Sequence, residues 1–219
     1  MASALPGSAF LIAPPKLEGR PLIHWQSGQP TPLGPFTITP YLVDHSASDA
    51  YALLIEVDGQ RLFYSGDFRG HGRKAALFEK FIANPPRDID ALLMEGTVIG
   101  RDGEDKPFPS EADLEHEYVA AFRHAPGLAL IWTSTQNLDR IVTLYRAAKR
   151  TGRRLVLDAF TVEMLAATGN PNLPQAHWPG IGVYVPDWMR RRIKRRGDFK
   201  RLEPFSANRV YLEELEPAH

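Results

Sequence analysis

Three short polar clusters follow three strand-like runs of this sequence. Asp44-His45-Ser46 comes after PYLV, Ser65-Gly66-Asp67 after RLFY, and Glu95-Gly96-Thr97 after ALLM. Strand ends are where α/β folds place catalytic groups, because the backbone there is rigid and a side chain can project into a cleft. One imidazole and two carboxylates are ligands suited to Zn²⁺ or Mn²⁺, and a carboxylate can bridge two such ions. Their joint occurrence favours a metal-binding or catalytic site.

Each of these residues also has a structural explanation when taken alone. His45 could be a hydrogen-bonded structural histidine, Asp67 a turn residue that bonds its own backbone, and Glu95 a turn or helix cap. A further histidine, His71, lies in the basic loop GHGRK close to Asp67, where it could contact a substrate phosphate or donate a proton. The alternative for His71 is a solvent-exposed loop side chain.

The elements that would position these clusters can be predicted from hydrophobic patterning. Residues 1–35 are rich in Pro, Gly and Ser and predict an irregular lead-in. From Phe36, three strand-like runs follow, and Asp58-Gly59 between the last two predicts a tight hairpin. A helix is expected around Lys74–Ile82, and the apolar run Ala91–Met94 predicts a buried strand.

The second half alternates helix and strand signals. A capping-box pattern at Ser110 predicts a helix to about Arg123, and Leu128–Thr133 predicts a buried strand. A helix is expected over Asn137–Lys149, with Gly152 just past its end, followed by strands at 154–157 and 182–185. This order predicts βαβ connections between parallel strands.

Composition excludes several classes of site. Acidic and basic residues balance at 26 each, so attraction to nucleic acid must come from local clustering. Cysteine is absent, which excludes disulfides, thiolate metal sites and a cysteine nucleophile, and which fits a reducing compartment. We find no signal-peptide pattern and no apolar run long enough for a membrane span. We therefore expect a soluble, cytoplasmic protein with no membrane partner.

A basic segment that starts at Trp188 is the second candidate surface. It could bind nucleic-acid phosphates electrostatically, or it could be a solvated helix face whose long side chains cover apolar surface. Cations near Asp67 and in the second half add to the positive charge. The candidate nucleic-acid-binding residues are Arg73, Lys74, Arg140, Arg191, Arg192, Arg195 and Arg196.

The strand-end clusters resemble motifs of the metallo-β-lactamase superfamily. YLVDHSASDAYALL resembles the segment with the third metal-binding motif, which implies His45 as a metal ligand, and RLFYSGDFRGHGRK resembles the fourth, which implies Asp67 as the metal-bridging aspartate. LLMEGT resembles motif A of the β-CASP (RNase J-like) branch, so Glu95 would orient a ligand or the attacking water. IWTSTQNLDR resembles the motif B region, where Ser134 and Thr135 stand and no histidine is present.

The resemblance covers residues 36–160 and implies a fold and an activity. The expected α/β fold is the later part of a metallo-β-lactamase αββα sandwich, over residues 36–105, running into a β-CASP-like parallel α/β cap over residues 106–219. The implied activity is hydrolysis of nucleic-acid phosphodiesters by two zinc or manganese ions, as in nucleases of RNA processing.

The sequence departs from this family where most metal ligands should be. No two histidines are separated by a single residue, so the HxHxDH motif is absent, and His219 is no convincing match for the C-terminal ligand. Two protein ligands are too few to hold zinc tightly. We therefore expect the isolated chain to be inactive unless an N-terminal chain that carries HxHxDH complements it. The alternative is a non-catalytic remnant that binds nucleic acid or a protein partner.

Overall fold

The computed structural model describes residues 23–96 and 108–215, which divide into two compact units. The N-terminal unit extends to Glu111 and the C-terminal unit begins at Ala112. Both strands and helices are present, so the predicted mixed α/β class is confirmed. Within the two described ranges, no helix has the length and apolar character needed to cross a membrane.

The N-terminal unit is built on a five-stranded sheet in the order β1-β2-β3-β4-β5. Its first four strands form an antiparallel meander, and β5 pairs in parallel with β4. Asp58 and Gly59 both have positive φ (49° and 76°), as a tight hairpin turn requires, and this confirms the predicted turn. The strands are β1 (Thr31–Leu33), β2 (Phe36–Leu42), β3 (Tyr51–Val57), β4 (Gln60–Tyr64) and β5 (Ala91–Leu93).

One helix, α1 (Ala75–Ala83), packs its aromatic side chains against this sheet. Phe81 of α1 stacks on Phe63 of β4 with ring centroids 5.5 Å apart, and its ring also contacts Tyr41 of β2. Val43, Ala52, Leu54 and Phe63 form the buried core of the unit. Apolar residues at alternate strand positions thus face the helix, as the period-2 pattern predicts.

Two expectations for the N-terminal unit need correction. Residues 31–33, placed in the irregular lead-in, form β1, because they pair with the start of β2; residues 1–22 lie outside the described part. The run Ala91–Met94 forms a strand over its first three residues, yet it is not buried. Leu92, Leu93 and Met94 are 52%, 53% and 62% exposed, because β5 is an edge strand of this sheet.

The C-terminal unit contains a sheet of three parallel strands in the order β6-β7-β8. The predicted βαβ unit that starts with strand 128–133 is not formed, because that segment joins no sheet; parallel pairing does occur, between β6 and β7, which a helix separates in the chain. The elements are α2 (Glu111–His124), α3 (Leu138–Arg150), β6 (Leu155–Asp158), α4 (Ala159–Ala167), β7 (Ile181–Tyr184), α5 (Asp187–Arg196), a 3₁₀ segment (Phe199–Asn208), β8 (Arg209–Val210) and a 3₁₀ turn (Leu212–Glu214).

Local signals fix the ends of these helices. The Asn137 side chain accepts a hydrogen bond from the Arg140 N–H and caps α3, and Asp158 caps α4 in the same way through the Thr161 N–H. Ile141 and Leu144 of α3 are buried, as the helical pattern predicts. Gly197, with φ of 68°, ends α5 in the left-handed conformation that glycine tolerates.

The predicted buried strand at Leu128–Thr133 is wrong on both counts. The segment is not assigned to a sheet, and Leu130 and Trp132 on it are fully or nearly fully exposed. An apolar, β-branched run predicts a strand only when a neighbouring strand is available to pair with it, and tertiary context decides this.

Candidate functional site

The three polar clusters, apart from Thr97, which lies outside the described residues, are found at one end of the N-terminal sheet, and hydrogen bonds join the second to the third. The Ser65 N–H donates to the Leu93 carbonyl at 2.8 Å, which links the ends of β4 and β5. The Glu95 N–H donates to Ser65 Oγ at 3.1 Å. Glu95 Oε1 in turn accepts from the Phe68 N–H at 2.8 Å. Glu95 therefore holds the backbone just after Asp67.

Asp44, at the end of β2, holds the other side of the same loop. Its carboxylate is 0% exposed and accepts from the Gly72 N–H at 2.7 Å and the Lys74 N–H at 3.3 Å. Its carbonyl accepts from the Arg69 N–H at 2.8 Å. The Arg69 guanidinium lies 4.0 Å from the Asp44 carboxylate and 4.0 Å from that of Glu111, which is also buried. Asp44 and Glu95 thus fix residues 65–74 from two sides.

Two glycines allow the loop of residues 65–74 to pack closely against Tyr51 and Asp44. Gly66 has φ of 58°, and a Cβ there would lie 3.0 Å from the Tyr51 carbonyl oxygen. A Cβ on Gly72 would lie 2.4 Å from Asp44 Oδ1, closer than real Cβ contacts allow. Both positions therefore need glycine, Gly66 for its backbone conformation and Gly72 for the approach to Asp44.

Asp67, the proposed bridging ligand, lies exposed at this junction. Its carboxylate has no hydrogen-bond or ion-pair partner among residues 23–96 and 108–215. His45 is half-buried, and its Nδ1 accepts from the Ala47 N–H at 3.3 Å. With Nδ1 accepting, the neutral ring carries its proton on Nε2. His45 therefore presents a donor at Nε2 in this arrangement, and metal binding through Nε2 would need the other tautomer.

His71 lies in the same loop and is held by ring stacking. Its imidazole stacks on the exposed Phe108 ring with centroids 5.4 Å apart. Burial, and then the nearby Arg69 guanidinium, lowers the pKa of His71 below its ordinary value, against the opposing effect of Asp44 and Glu111. At neutral pH the ring is therefore uncharged, which suits hydrogen bonding better than proton donation.

The described residues do not by themselves form a complete metal site. Among residues 23–96 and 108–215, no group of three or more His, Cys, Asp or Glu side chains is placed to hold a metal ion. His45 and Asp67 supply two ligands at most, whereas zinc sites in proteins use three or four protein ligands. The residues present fit part of a metal site only.

Sequence reasoning missed the residues that organise this junction. Asp44 was seen as part of a polar cluster, yet its burial depends on Gly72 and Lys74, which lie about thirty residues away in the chain. Glu111 falls only in the first turn of the helix predicted after Ser110, and Arg69 was given no role. No local pattern marks these contacts, although the close GHG spacing around His71 was a signal for a tightly packed loop.

Three of the candidate nucleic-acid-binding residues make structural contacts. The Lys74 ammonium donates to the carbonyls of Ala47 and Ser48, at 2.7 and 3.0 Å. Arg140 is half-buried and lies over the Tyr118 ring, 6.0 Å from its centroid. Arg73 is half-buried and has a partner within the protein. These three side chains therefore already contact other groups of the protein.

The basic helix α5 carries the remaining candidates. Arg190 and Arg191 contact the Asp187 carboxylate on the same helix, and Arg192 is half-buried with a partner of its own. Arg195 and Arg196 are exposed, and so is Lys194, which sequence reasoning did not single out. These last three have no ion-pair partner in the described part of the chain.

Ser134 and Thr135, in the region that resembles motif B, lie in the C-terminal unit. Ser134 Oγ accepts from the Gln136 N–H at 3.2 Å, and its carbonyl accepts from the Asn137 N–H. These bonds form a turn that leads into α3. Thr135 lines a hollow beside β6. The arrangement gives Ser134 a local structural role.

Comparison with known proteins shows the fold alone. No family model matches the sequence, and no curated protein matches it. The chain is similar to a crystal structure of a protein of unknown function from Enterococcus faecalis V583, with a TM-score of 0.58 and 24% sequence identity. The match covers 77% of this chain and 38% of that one. The chain therefore spans well under half the length of this structural relative.

Proposed function

We propose that this chain contributes part of the active site of a metal-dependent hydrolase of metallo-β-lactamase, β-CASP-like type. Its substrates are nucleic-acid phosphodiesters, and the chain alone is inactive. The observation that carries the proposal is the hydrogen-bonded junction at the strand ends. There, Asp44 and Glu95 fix the loop on both sides of Asp67, whose carboxylate stays exposed.

Such a junction is suited to catalysis because it is organised before any ligand arrives. Phe68, next to Asp67, is bonded through its N–H to Glu95, and Gly66 on the other side adopts a conformation that glycine tolerates. The Asp67 carboxylate therefore projects from a backbone that has little freedom to move. In this proposal Glu95 is a positioning residue, and Asp67 is the group that contacts the ions.

The proposed cofactor is a pair of zinc or manganese ions, for which His45 and Asp67 supply the first ligands. Such ions provide a hydroxide at neutral pH and stabilise charge on phosphoryl oxygens. The remaining ligands come from another polypeptide segment. The apolar edge at β5, which stays exposed among residues 23–96 and 108–215, supports a further neighbour, because a parallel strand that is apolar on both faces is normally buried.

Co-expression with a complementing fragment tests the proposal. The fragment carries the HxHxDH motif and is taken from the upstream reading frame or from a relative. We expect the pair to copurify and to hydrolyse single-stranded RNA when Mn²⁺ or Zn²⁺ is added. Asp67→Ala should abolish hydrolysis, whereas Asp49→Ala, an exposed carboxylate of a nearby loop, should leave it unchanged. A pair that copurifies and hydrolyses RNA equally well with Asp67→Ala would refute the assignment.

We propose as a second candidate that α5 binds nucleic acid without catalysis. The specific observation is the exposed trio of Lys194, Arg195 and Arg196, with no ion pair in the described residues, on a helix that also exposes 46% of Trp188. Cations track the phosphate backbone, and an exposed aromatic ring can stack on a base. This combination is typical of single-strand binding surfaces.

A salt titration of RNA binding tests this second candidate. Changing Lys194, Arg195 and Arg196 to Ala should weaken binding and reduce the slope of log K against log salt by about 2, as three lost phosphate contacts predict for a single strand. Arg190→Ala and Arg191→Ala form the control, because these side chains already contact Asp187. Unchanged affinity in the triple variant would remove α5 as a binding surface.

A further inference from the structure

A hollow in the C-terminal unit reaches the carboxyl ends of its parallel strands. β6 and β7 pair with Asp158 opposite Tyr184, so these two residues end their strands at the same edge of the sheet. Both line a hollow of about 330 Å³ beside β6, together with three threonines, Thr133 and Thr135 before α3 and Thr161 in α4. Ligands of α/β folds bind at this edge, because side chains from successive strands and helices converge there.

Two polar side chains at this edge have unused hydrogen-bonding capacity. Asp158 Oδ1 accepts from the Thr161 N–H at 2.6 Å, whereas Asp158 Oδ2 accepts no hydrogen bond from residues 23–96 and 108–215. Thr161 is only 4% exposed, and its hydroxyl has no hydrogen-bond partner in the described part of the chain. A buried hydroxyl without a partner is costly, so it favours a ligand that supplies the missing bond.

The chemistry of this edge favours a ligand that presents hydroxyl groups. An ionised carboxylate only accepts hydrogen bonds, so Asp158 Oδ2 needs a donor, whereas the Thr161 hydroxyl can donate or accept. The Asp158 charge repels a phosphate at the same place. Because Asp158 and Thr161 are bonded to each other in the first turn of α4, two adjacent hydroxyls of one sugar ring can reach both.

Aliphatic side chains form much of the remaining wall of this hollow. Leu130 and Leu212, which are 88% and 54% exposed, line it together with Ile141 and Leu215. Such a wall suits a flat, uncharged ring. The volume lies at the lower end of the range for small-molecule sites, roughly 300–1,000 Å³. The hollow thus combines a hydroxyl-binding end with space for a ring such as a nucleobase.

We propose that this hollow binds a free ribonucleoside, with the ribose diol on Asp158 and Thr161 and the base against the aliphatic wall. In dinucleotide-binding folds, an acidic residue at the end of the strand after the first helix accepts a hydrogen bond from ribose, and Asp158 has this place after α3. The turn that leads into α3, Ser134-Thr135-Gln136, has none of the glycines that admit a pyrophosphate in those folds, which favours a nucleoside.

This site is separate from the proposed metal site. Every residue that lines the hollow belongs to the C-terminal unit, whereas His45 and Asp67 belong to the N-terminal unit. Nucleoside binding can therefore fail without affecting the proposed hydrolase, and the reverse also holds.

Isothermal titration calorimetry of the full chain with the four common ribonucleosides tests the proposal. We expect at least one of them to bind with a dissociation constant below about 1 mM. Its 2′,3′-dideoxy counterpart, which has the same base and lacks the diol, should bind at least about tenfold more weakly, because the hydrogen bonds to Asp158 and Thr161 are lost.

Two variants of the hollow locate the binding. Thr161→Val removes the hydroxyl with little change of shape and should weaken binding about tenfold. Asp158→Asn should also weaken it, since the free oxygen becomes an amide N–H₂, while asparagine still caps α4. Thr168→Val is the control at the other end of α4, because its hydroxyl bonds the Leu165 carbonyl and does not line the hollow. Circular dichroism checks that each variant folds.

Three results would overturn the proposal. One is a native chain that binds none of the four ribonucleosides at millimolar concentration. Another is equal affinity for a ribonucleoside and its dideoxy counterpart, which would mean that the diol is not recognised. The third is native affinity in folded Thr161→Val and Asp158→Asn proteins, which would place the ligand elsewhere.

Discussion

Removal of the Asp44 carboxylate should destabilise the N-terminal unit more than any other single-carboxylate change in it. Asp44→Ala leaves the N–H groups of Gly72 and Lys74 without their acceptor in a buried place. It also removes one of the two carboxylates that flank Arg69. A buried donor that loses its partner costs about 1–3 kcal/mol, so the expected loss of unfolding free energy is about 3–5 kcal/mol.

Urea unfolding measures this loss of unfolding free energy. It is followed by circular dichroism and by the fluorescence of Trp25, in a variant in which the tryptophans at 132, 178 and 188 are replaced by Phe. Trp25 packs edge-on against Tyr51 of β3, so its signal reports on the N-terminal unit. Asp44→Asn should lose less than Asp44→Ala, because it keeps one acceptor oxygen. Asp49→Ala is the matched control, an exposed carboxylate in the same connection, and should change stability by less than about 0.5 kcal/mol.

A loss below about 1 kcal/mol for Asp44→Ala would refute this reasoning, since it would mean that water or a rearranged loop replaces the carboxylate without penalty.

A second test uses Gly72, whose added Cβ would collide with Asp44 Oδ1. Gly72→Ala should be destabilising in the native background and less so when Asp44 is already Ala, where only the contact of the new Cβ with the Arg69 guanidinium, at 2.7 Å, remains. Additive effects of the two changes would contradict the close contact.

Two further results follow from the same loop. Gly66→Ala should cost about 1–2 kcal/mol of stability in urea unfolding, because φ is positive and the new Cβ meets the Tyr51 carbonyl, and an unchanged midpoint would contradict that backbone geometry. The pKa of His71 is lowered in the folded state, so unfolded chains bind more protons and stability should fall as the pH drops below about 6.5. His71→Gln should reduce that dependence, and an identical pH profile in the variant would mean that His71 does not contribute.

Elements that are stabilised by residues close together in the chain were predicted from short sequence patterns. Asp58-Gly59 predicts a hairpin because few other residues adopt two positive φ angles in succession. Asn137 and the apolar face of α3 predict a helix because capping and periodicity act within a few residues. The strands β2, β3, β4, β6 and β7 were predicted close to their observed bounds, whereas β1 and β8 were not predicted.

The parts that were not predicted depend on distant residues. Leu128–Thr133 has the sequence of a buried strand, but burial requires a neighbour that no local pattern supplies. The exposure of Leu93 and Met94 arises for the same reason. Asp44 organises the loop only because the main-chain N–H groups of Gly72 and Lys74 donate hydrogen bonds to its carboxylate. The strand-end residues could thus be picked out by type, whereas their hydrogen-bond partners could not.

The central claim is that this chain holds part of a metal site and needs a second segment to complete it. Metal analysis after dialysis tests this claim most directly. The chain alone should retain well under one zinc or manganese ion, because His45 and Asp67 are too few ligands. The complex with the HxHxDH-bearing fragment should retain about two, and Asp67→Ala in that complex should lose them. Stoichiometric metal in the chain alone, or a complex that binds none, would contradict the account.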